Sequence, residues 1–179
     1  MSGTAGRRGF GVWFTGLPAS GKSTVAKRVA TGLAKKGIRV QILDSDELRE
    51  ILTPAPSYSE TERDWFYEVV AFLGGLLSRN GVNVLFAATA PKRIHRDGAR
   101  RAIPRFLEVW VRCPLETCME RDPKGIYARG AAGEAQTVPG LQAPFEAPEA
   151  PAVTIDTAAG DPADCARQVL EAMEAEGLV

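Results

Sequence analysis

Histidine is almost missing from this chain: His95 is the only one in 179 residues. Cysteine is sparse too, with Cys113, Cys118 and Cys165 scattered over the second half. Three such thiols make no disulfide framework, and Cys113 and Cys118 lack partners at zinc-ligand spacing. They read as reduced thiols of a cytoplasmic protein. An excess of one charge is also lacking, since 22 Lys and Arg meet 22 Asp and Glu. That argues against a partner held by bulk charge, such as duplex nucleic acid or an anionic membrane. No apolar run approaches the ~20 residues of a membrane helix. Residues 1–9 carry two arginines with no apolar stretch behind them. They are expected to form a disordered tail, not a signal peptide. What is present is an ordinary globular composition, 45% apolar and 25% charged, enough for a single domain over residues 10–179.

Short β-like runs alternate with helical ones. Strands are expected at 10–15, 38–43, 82–88, 106–111 and 152–155. A helix from Lys22 to Lys36 buries Val25, Val29 and Leu33 and stops at Gly37. A long helix from Ser59 to Asn80 opens with a Ser59/Glu62 capping box, and Trp65, Val69, Phe72, Leu73, Leu76 and Leu77 form its expected buried stripe. A short helix covers 115–121. The last one has Asp161 as N-cap and Pro162 at its first position. Strands separated by helices imply an α/β fold, a parallel sheet covered on both faces. Residues 122–151 are rich in Gly, Ala and Pro and break the rhythm, as a mobile lid would.

One motif carries chemistry outright. Gly16-Leu17-Pro18-Ala19-Ser20-Gly21-Lys22-Ser23 fits G-x-x-x-x-G-K-[ST] between a strand and a helix. Backbone N–H groups of such a loop cradle phosphates. Lys22 should reach the β- and γ-phosphates, and Ser23 should bind Mg²⁺. The reading is ATP and Mg²⁺. No guanine-reading N-K-x-D motif is present, and the strand VNVLFAATA ends without an acidic residue, so a GTPase or a motor ATPase is disfavoured. A small-molecule kinase needs neither. Asp44 and Asp46 stand at the C-terminal end of the second strand, where ligands of open α/β sheets bind. Asp44 is the candidate metal carboxylate and also a candidate helix N-cap.

The phosphate loop GLPASGKST, the segment LDSDELR, and RDPKGIYARGAAGE followed by APFEAPEAP together resemble adenylylsulfate kinases. The resemblance runs from about Val12 to Thr157. It implies a P-loop kinase fold with a five-stranded parallel sheet, a mobile lid, commonly a homodimer, and transfer of the γ-phosphate of ATP to the 3′-hydroxyl of adenylyl sulfate. By the same resemblance Gly16, Gly21, Lys22, Ser23 and Thr24 hold the nucleotide phosphates. Arg121 and Lys124 are the lid's basic residues. Asp44 and Asp46 match a pair of family aspartates, with Asp46 positioning the acceptor hydroxyl or taking its proton. Arg49 and Arg63 grip the phosphosulfate, as arginine's planar fork suits, and Tyr58 stacks on the acceptor adenine. Arg96 has a counterpart and is the best candidate anion ligand in the basic run Lys92, Arg93, Arg96, Arg100, Arg101.

The acceptor side departs from the family pattern. Phe66 replaces an asparagine that contacts the acceptor, and either rebuilds an aromatic wall or intrudes. Glu68 stands at a usual arginine, Ala90 at a serine, Lys92 at a tyrosine and Ala131 at a lid arginine. Val138 replaces a second aromatic against adenine. A kinase of another small phosphorylated or nucleotide-linked acceptor therefore stays open at this point, as does a non-catalytic nucleotide binder. His95 matches no family role and reads as a surface residue.

Overall fold

The computed structural model describes residues 8–179, so 1–7 of the expected tail lie outside the described residues. Gly9 is already part of the fold. Its N–H donates to the Ser78 carbonyl at 2.9 Å and its carbonyl accepts from Ser78 Oγ at 2.7 Å.

In chain order the elements are β1 (Gly11–Thr15), α1 (Lys22–Lys35), β2 (Val40–Asp44), α2 (Ser45–Leu52), α3 (Glu60–Arg79), β3 (Asn83–Ala87), α4 (Arg93–Ala102), β4 (Phe106–Arg112), α5 (Leu115–Arg121), α6 (Ile126–Ala131), β5 (Val153–Asp156) and α7 (Pro162–Ala175). The five strands form one parallel sheet in the order β2-β3-β1-β4-β5. The expected fold class holds, with strand ends shifted by one or two residues. β1 is central, and all five of its residues are buried. Register places Gly11 between Val84 and Phe106, and Asp44 beside Ala87. The carboxyl ends of β1, β2 and β3 therefore come out on one edge of the sheet, where a ligand crevice is expected.

Two cores flank the sheet. On one face Val25, Val29 and Leu33 of α1 meet Cys165, Val169 and Met173 of α7 over Phe14 and Val109. On the other, Phe66, Val70 and Ala71 of α3 pack with Ala99 of α4 over Trp13, Val84 and Phe86. Trp13 stacks on Phe86 with centroids 4.6 Å apart, and its indole N–H donates to the Ala88 carbonyl at 3.1 Å.

The long helix corrects the sequence reading. α3 buries Phe66, Tyr67, Val70, Ala71, Gly74, Gly75 and Ser78. Of the expected stripe, Trp65, Phe72 and Leu76 are 46%, 59% and 42% exposed. The helix is apolar almost all round, and close approach chose the face with the small residues. A Cβ at Gly74 would lie 2.2 Å from Phe86 Cζ, so a bulky residue there would push α3 off the sheet. The capping box is also rearranged. Ser59 Oγ accepts from the Glu62 N–H at 3.2 Å as expected, but Glu62 Oε2 turns back to the Ser57 N–H at 2.6 Å.

Candidate active site

The phosphate loop bridges β1 and α1. Gly21, the N-cap of α1, has φ 93°, which only glycine adopts without strain. A Cβ on Gly16 would lie 2.4 Å from the Val111 carbonyl oxygen, so glycine there lets the loop lie against β4. Ala19 takes φ 60° at the loop's tip. Lys22 is buried, and its ammonium donates to the carbonyls of Gly16 at 3.1 Å and Leu17 at 2.7 Å. Burial lowers its pKa to about 8, and the carboxylates of Asp46 and Asp44 partly oppose that. Ser20 Oγ is buried and has no hydrogen-bond partner among the described residues. Behind the loop, Thr157 Oγ1 donates to the Ser20 carbonyl at 2.7 Å, and Arg121 Nη2 donates to the Thr157 carbonyl at 2.6 Å. Thr157 escapes sequence reasoning because it follows β5 in an unremarkable turn.

Next to the loop, Ser23 Oγ donates to Asp44 Oδ2 at 2.6 Å. Asp44 Oδ1 accepts from the Asp46 N–H at 2.9 Å, capping α2. Asp44 thus caps the helix with one oxygen, as expected, while the other accepts from Ser23. Asp46, in the first turn of α2, is half exposed and forms an ion pair with Lys124 from the lid. The two charged residues singled out from distant parts of the sequence thus meet.

Arg49, Tyr58, Arg63 and Phe66 gather beside them. Arg49 Cζ lies 5.0 Å from the Tyr58 ring centroid and 3.9 Å from that of Phe66. Arg63 Cζ lies 5.7 Å from the Tyr58 ring. Tyr58 is 41% exposed, on a backbone with φ 51°. Arg63 also reaches the lid: Nη2 donates to the Thr137 carbonyl and to Thr137 Oγ1, at 2.5 and 2.9 Å. Phe66 is fully buried. It is therefore a floor under Arg49 and not an open wall. Val138 is buried as well, packed with Cys113, Cys118 and Tyr127 against Leu17 and Ala19. That small core seats the lid on the phosphate loop, and Tyr127 Oη donates to the Pro18 carbonyl at 3.1 Å. It also contains α6, which the sequence reading missed because six residues are too few for periodicity to register.

Three residues sit otherwise than expected. Arg96 is fully buried, and each guanidinium nitrogen meets a protein oxygen. Nε donates to Glu108 Oε1 at 2.7 Å, Nη1 to the Ala90 carbonyl at 2.5 Å and Nη2 to the Glu146 carbonyl at 2.7 Å. Buried, with three of its N–H bonds donated to protein oxygens, the guanidinium is closed off from an anion in solvent. Instead it holds the segment after the lid, with help from Glu146, whose N–H donates to the Pro91 carbonyl at 2.8 Å and whose carboxylate accepts from the Arg93 N–H at 2.6 Å. His95 is no surface residue. Its ring stacks on Tyr67 with centroids 4.5 Å apart and its Nε2 lies 2.8 Å from Asp64 Oδ1. Burial lowers its pKa, so the ring favours its neutral form. Lys92 spans to α3, contacting Glu60 at 2.5 Å and Asp64 at 2.9 Å. Glu68 and Ala131 are exposed, and Ala90 holds φ 42° in the core.

Comparison with known proteins agrees with this arrangement. The sequence model of the family described as adenylylsulphate kinase matches residues 8–156. An adenylyl-sulfate kinase of Synechococcus sp. is 39% identical over 97% of this chain and 99% of its own. A probable adenylyl-sulfate kinase of Archaeoglobus fulgidus is 41% identical over 85% of this chain and 98% of its own. Among solved structures, the Mycobacterium tuberculosis APS kinase in complex with AMPPNP and APS superposes with a TM-score of 0.87 at 36% identity, covering 93% of this chain and 98% of that one.

Proposed function

This chain belongs to the adenylylsulphate kinase family, and from that premise we propose its reaction and the part each residue plays. The protein transfers the γ-phosphate of ATP to the 3′-hydroxyl of adenylyl sulfate. The observation that carries the assignment is the juxtaposition of two half-sites: a complete phosphate loop around Lys22, and facing it Asp46, Arg49, Arg63 and Tyr58 under a seated lid.

The backbone N–H groups of the loop and of the α1 N-terminus hold the triphosphate of ATP. Leu17, Pro18, Ala19 and Ser20 contribute through the main chain, and Ser23 and Thr24 open the helix. Lys22 moves from the Gly16 and Leu17 carbonyls to the β- and γ-phosphates, which restore its full charge. Arg121 stands near the nucleotide, tied to Thr157 behind the phosphate loop. Ser23 and Asp44 bring two hard oxygen donors together, which suits Mg²⁺, an ion that takes most of its ligands from phosphate and water. Bound there, Mg²⁺ would neutralise charge on the β- and γ-oxygens.

On the acceptor side, Asp46 accepts a hydrogen bond from the 3′-hydroxyl and takes its proton as the new O–P bond forms and the bond to ADP breaks. Lys124 holds that carboxylate in place until the acceptor enters. Arg49 and Arg63 bind the phosphosulfate, and Tyr58 offers its exposed face to adenine. Arg63 also ties the acceptor site to lid residue Thr137, so filling the site and closing the lid are coupled. Closure keeps water from the transferring phosphoryl group. Arg96 acts from below, as an anchor for the lid's trailing segment.

The exposed α3 stripe of Trp65, Phe72 and Leu76 supports a homodimer, because apolar side chains aligned at helical spacing on a surface favour a second apolar face. Three buried, free thiols suit a reducing cytoplasm. Among the described residues no helix is long and apolar enough to cross a membrane. A coupled ADP-release assay with ATP, Mg²⁺ and adenylyl sulfate tests the reaction. The expected result is acceptor-dependent ADP release with the 3′-phosphorylated product. ADP release only with a different phosphorylated acceptor would overturn the acceptor, and none with any acceptor would overturn the kinase.

A further inference from the structure

Arg49 rises from α2, a helix of eight residues, and carries a long side chain with several free torsions. Its side chain pairs with Glu62 and hydrogen-bonds the Tyr67 side chain, and two of its contacts are long. Nη1 lies 3.3 Å from Glu62 Oε1 and 3.4 Å from Thr53 Oγ1, near the limit of a useful hydrogen bond. The guanidinium also lies over an aromatic ring, with Cζ 3.9 Å from the centroid of the Phe66 ring. Phe66 cannot yield, being fully buried in the core beneath α3. Tyr67 packs edge-on against it at 5.3 Å and 77°.

We infer that Phe66 is a positioning residue for Arg49: its buried ring fixes the plane of the guanidinium, so that the remaining N–H groups aim at the acceptor's anionic group. This rests on the reading of adenylyl sulfate as acceptor. A guanidinium stacked on a ring keeps all its N–H bonds in its own plane, free for an anion to approach from the edge. The attraction is electrostatic, between the cation and the negative face of the ring. The aromatic floor orders the side chain before binding, which lowers the entropy cost of gripping the anion. Phe66 touches no reacting atom in this arrangement.

The test changes the ring's electrostatics and keeps its shape. 3,4,5-Trifluorophenylalanine is placed at position 66, and Phe66→Leu is made beside it. KM for adenylyl sulfate should rise about fivefold with the fluorinated ring and about tenfold with leucine, within the range such contacts give. kcat and the KM for ATP should stay within about twofold, because neither depends on Arg49. On an Arg49→Met background the same changes at position 66 should add nothing. The Arg49 Nε–Hε order parameter, measured by NMR without substrate, should fall in both variants.

An acceptor KM and an order parameter that both ignore fluorination would overturn the positioning role. So would a parallel loss in both substrates' KM values together with melting temperature, which marks a purely packing role. A wild type inactive on adenylyl sulfate whose Arg49 nonetheless loosens on fluorination would overturn the acceptor reading and leave the positioning role standing.

Discussion

Replacing Arg96 with methionine should destabilise the whole domain rather than weaken acceptor binding alone. The change removes one buried partner of Glu108, itself only 5% exposed, and strands two main-chain oxygens, those of Ala90 and Glu146. Breaking a buried ion pair by deleting one side costs about 3–5 kcal/mol. Arg100 Nη2 still reaches Glu108 Oε2 at 2.5 Å, which puts the expected cost near the lower end, about 3 kcal/mol. For a domain of this size each kcal/mol lowers Tm by about 2–4 °C, so the fall should be about 6–12 °C. Differential scanning calorimetry measures it. Adding Glu108→Leu should recover part of the loss, because the orphaned carboxylate is then gone. The trailing lid segment should also become sensitive to protease, since Arg96 and Arg93 hold it at Glu146 and Ala147. A Tm within about 2 °C of wild type, with a raised KM for adenylyl sulfate, would refute this and return Arg96 to the acceptor site.

Other expectations follow from the same geometry. Because burial lowers the Lys22 pKa to about 8, the free enzyme loses that positive charge as pH rises through 8, so kcat/KM for ATP should fall there, far below the ~10.4 of an ordinary lysine. The unfolded chain still holds that proton, so this site adds stability as pH rises across the same window. Lys22→Ala should nearly abolish turnover and leave the fold intact; an active variant would mean that the loop is not the donor site. Limited proteolysis with a glutamate-specific protease should cut after Glu134, which is exposed between α6 and Val138, before it cuts after Glu146, and ATP plus acceptor should slow the first cut. Equal rates with and without ligands would count against a closing lid. Phe72→Glu on the exposed face of α3 should convert a dimer to monomers in sedimentation velocity, and an unchanged mass would remove α3 as the interface.

The donor half of the site was legible in the sequence because its function is local. Residues 16–23 are contiguous, the phosphate contacts proposed for them are mostly main-chain ones, and the strand and helix that frame them announce themselves by periodicity. The same holds for Asp44 and Asp46, which lie where β2 ends. The acceptor half is assembled from α2, α3 and the lid, so its residue types were readable but their partners were not. Nothing in the order of residues says that Lys124 meets Asp46, or that Arg63 meets Thr137, 74 positions away.

The tertiary structure alone decided which face of α3 went inside. Counting large apolar residues favoured Trp65, Phe72 and Leu76, yet the helix turned the other way. Packing is set by how closely two surfaces approach, and Gly74 and Gly75 allow an approach that tryptophan forbids. The same cause lies behind Arg96 and His95, which the sequence offers as an anion ligand and a surface group. Each became an internal tie once folding brought an acid beside it, Glu108 from β4 and Asp64 from α3. A charged side chain's role depends on what lies within about 3–4 Å of it. The sequence by itself determined the sheet, the phosphate loop and the chemistry at its edge. Which polar groups reach the acceptor and which brace the fold depended on long-range packing, which no local pattern encodes.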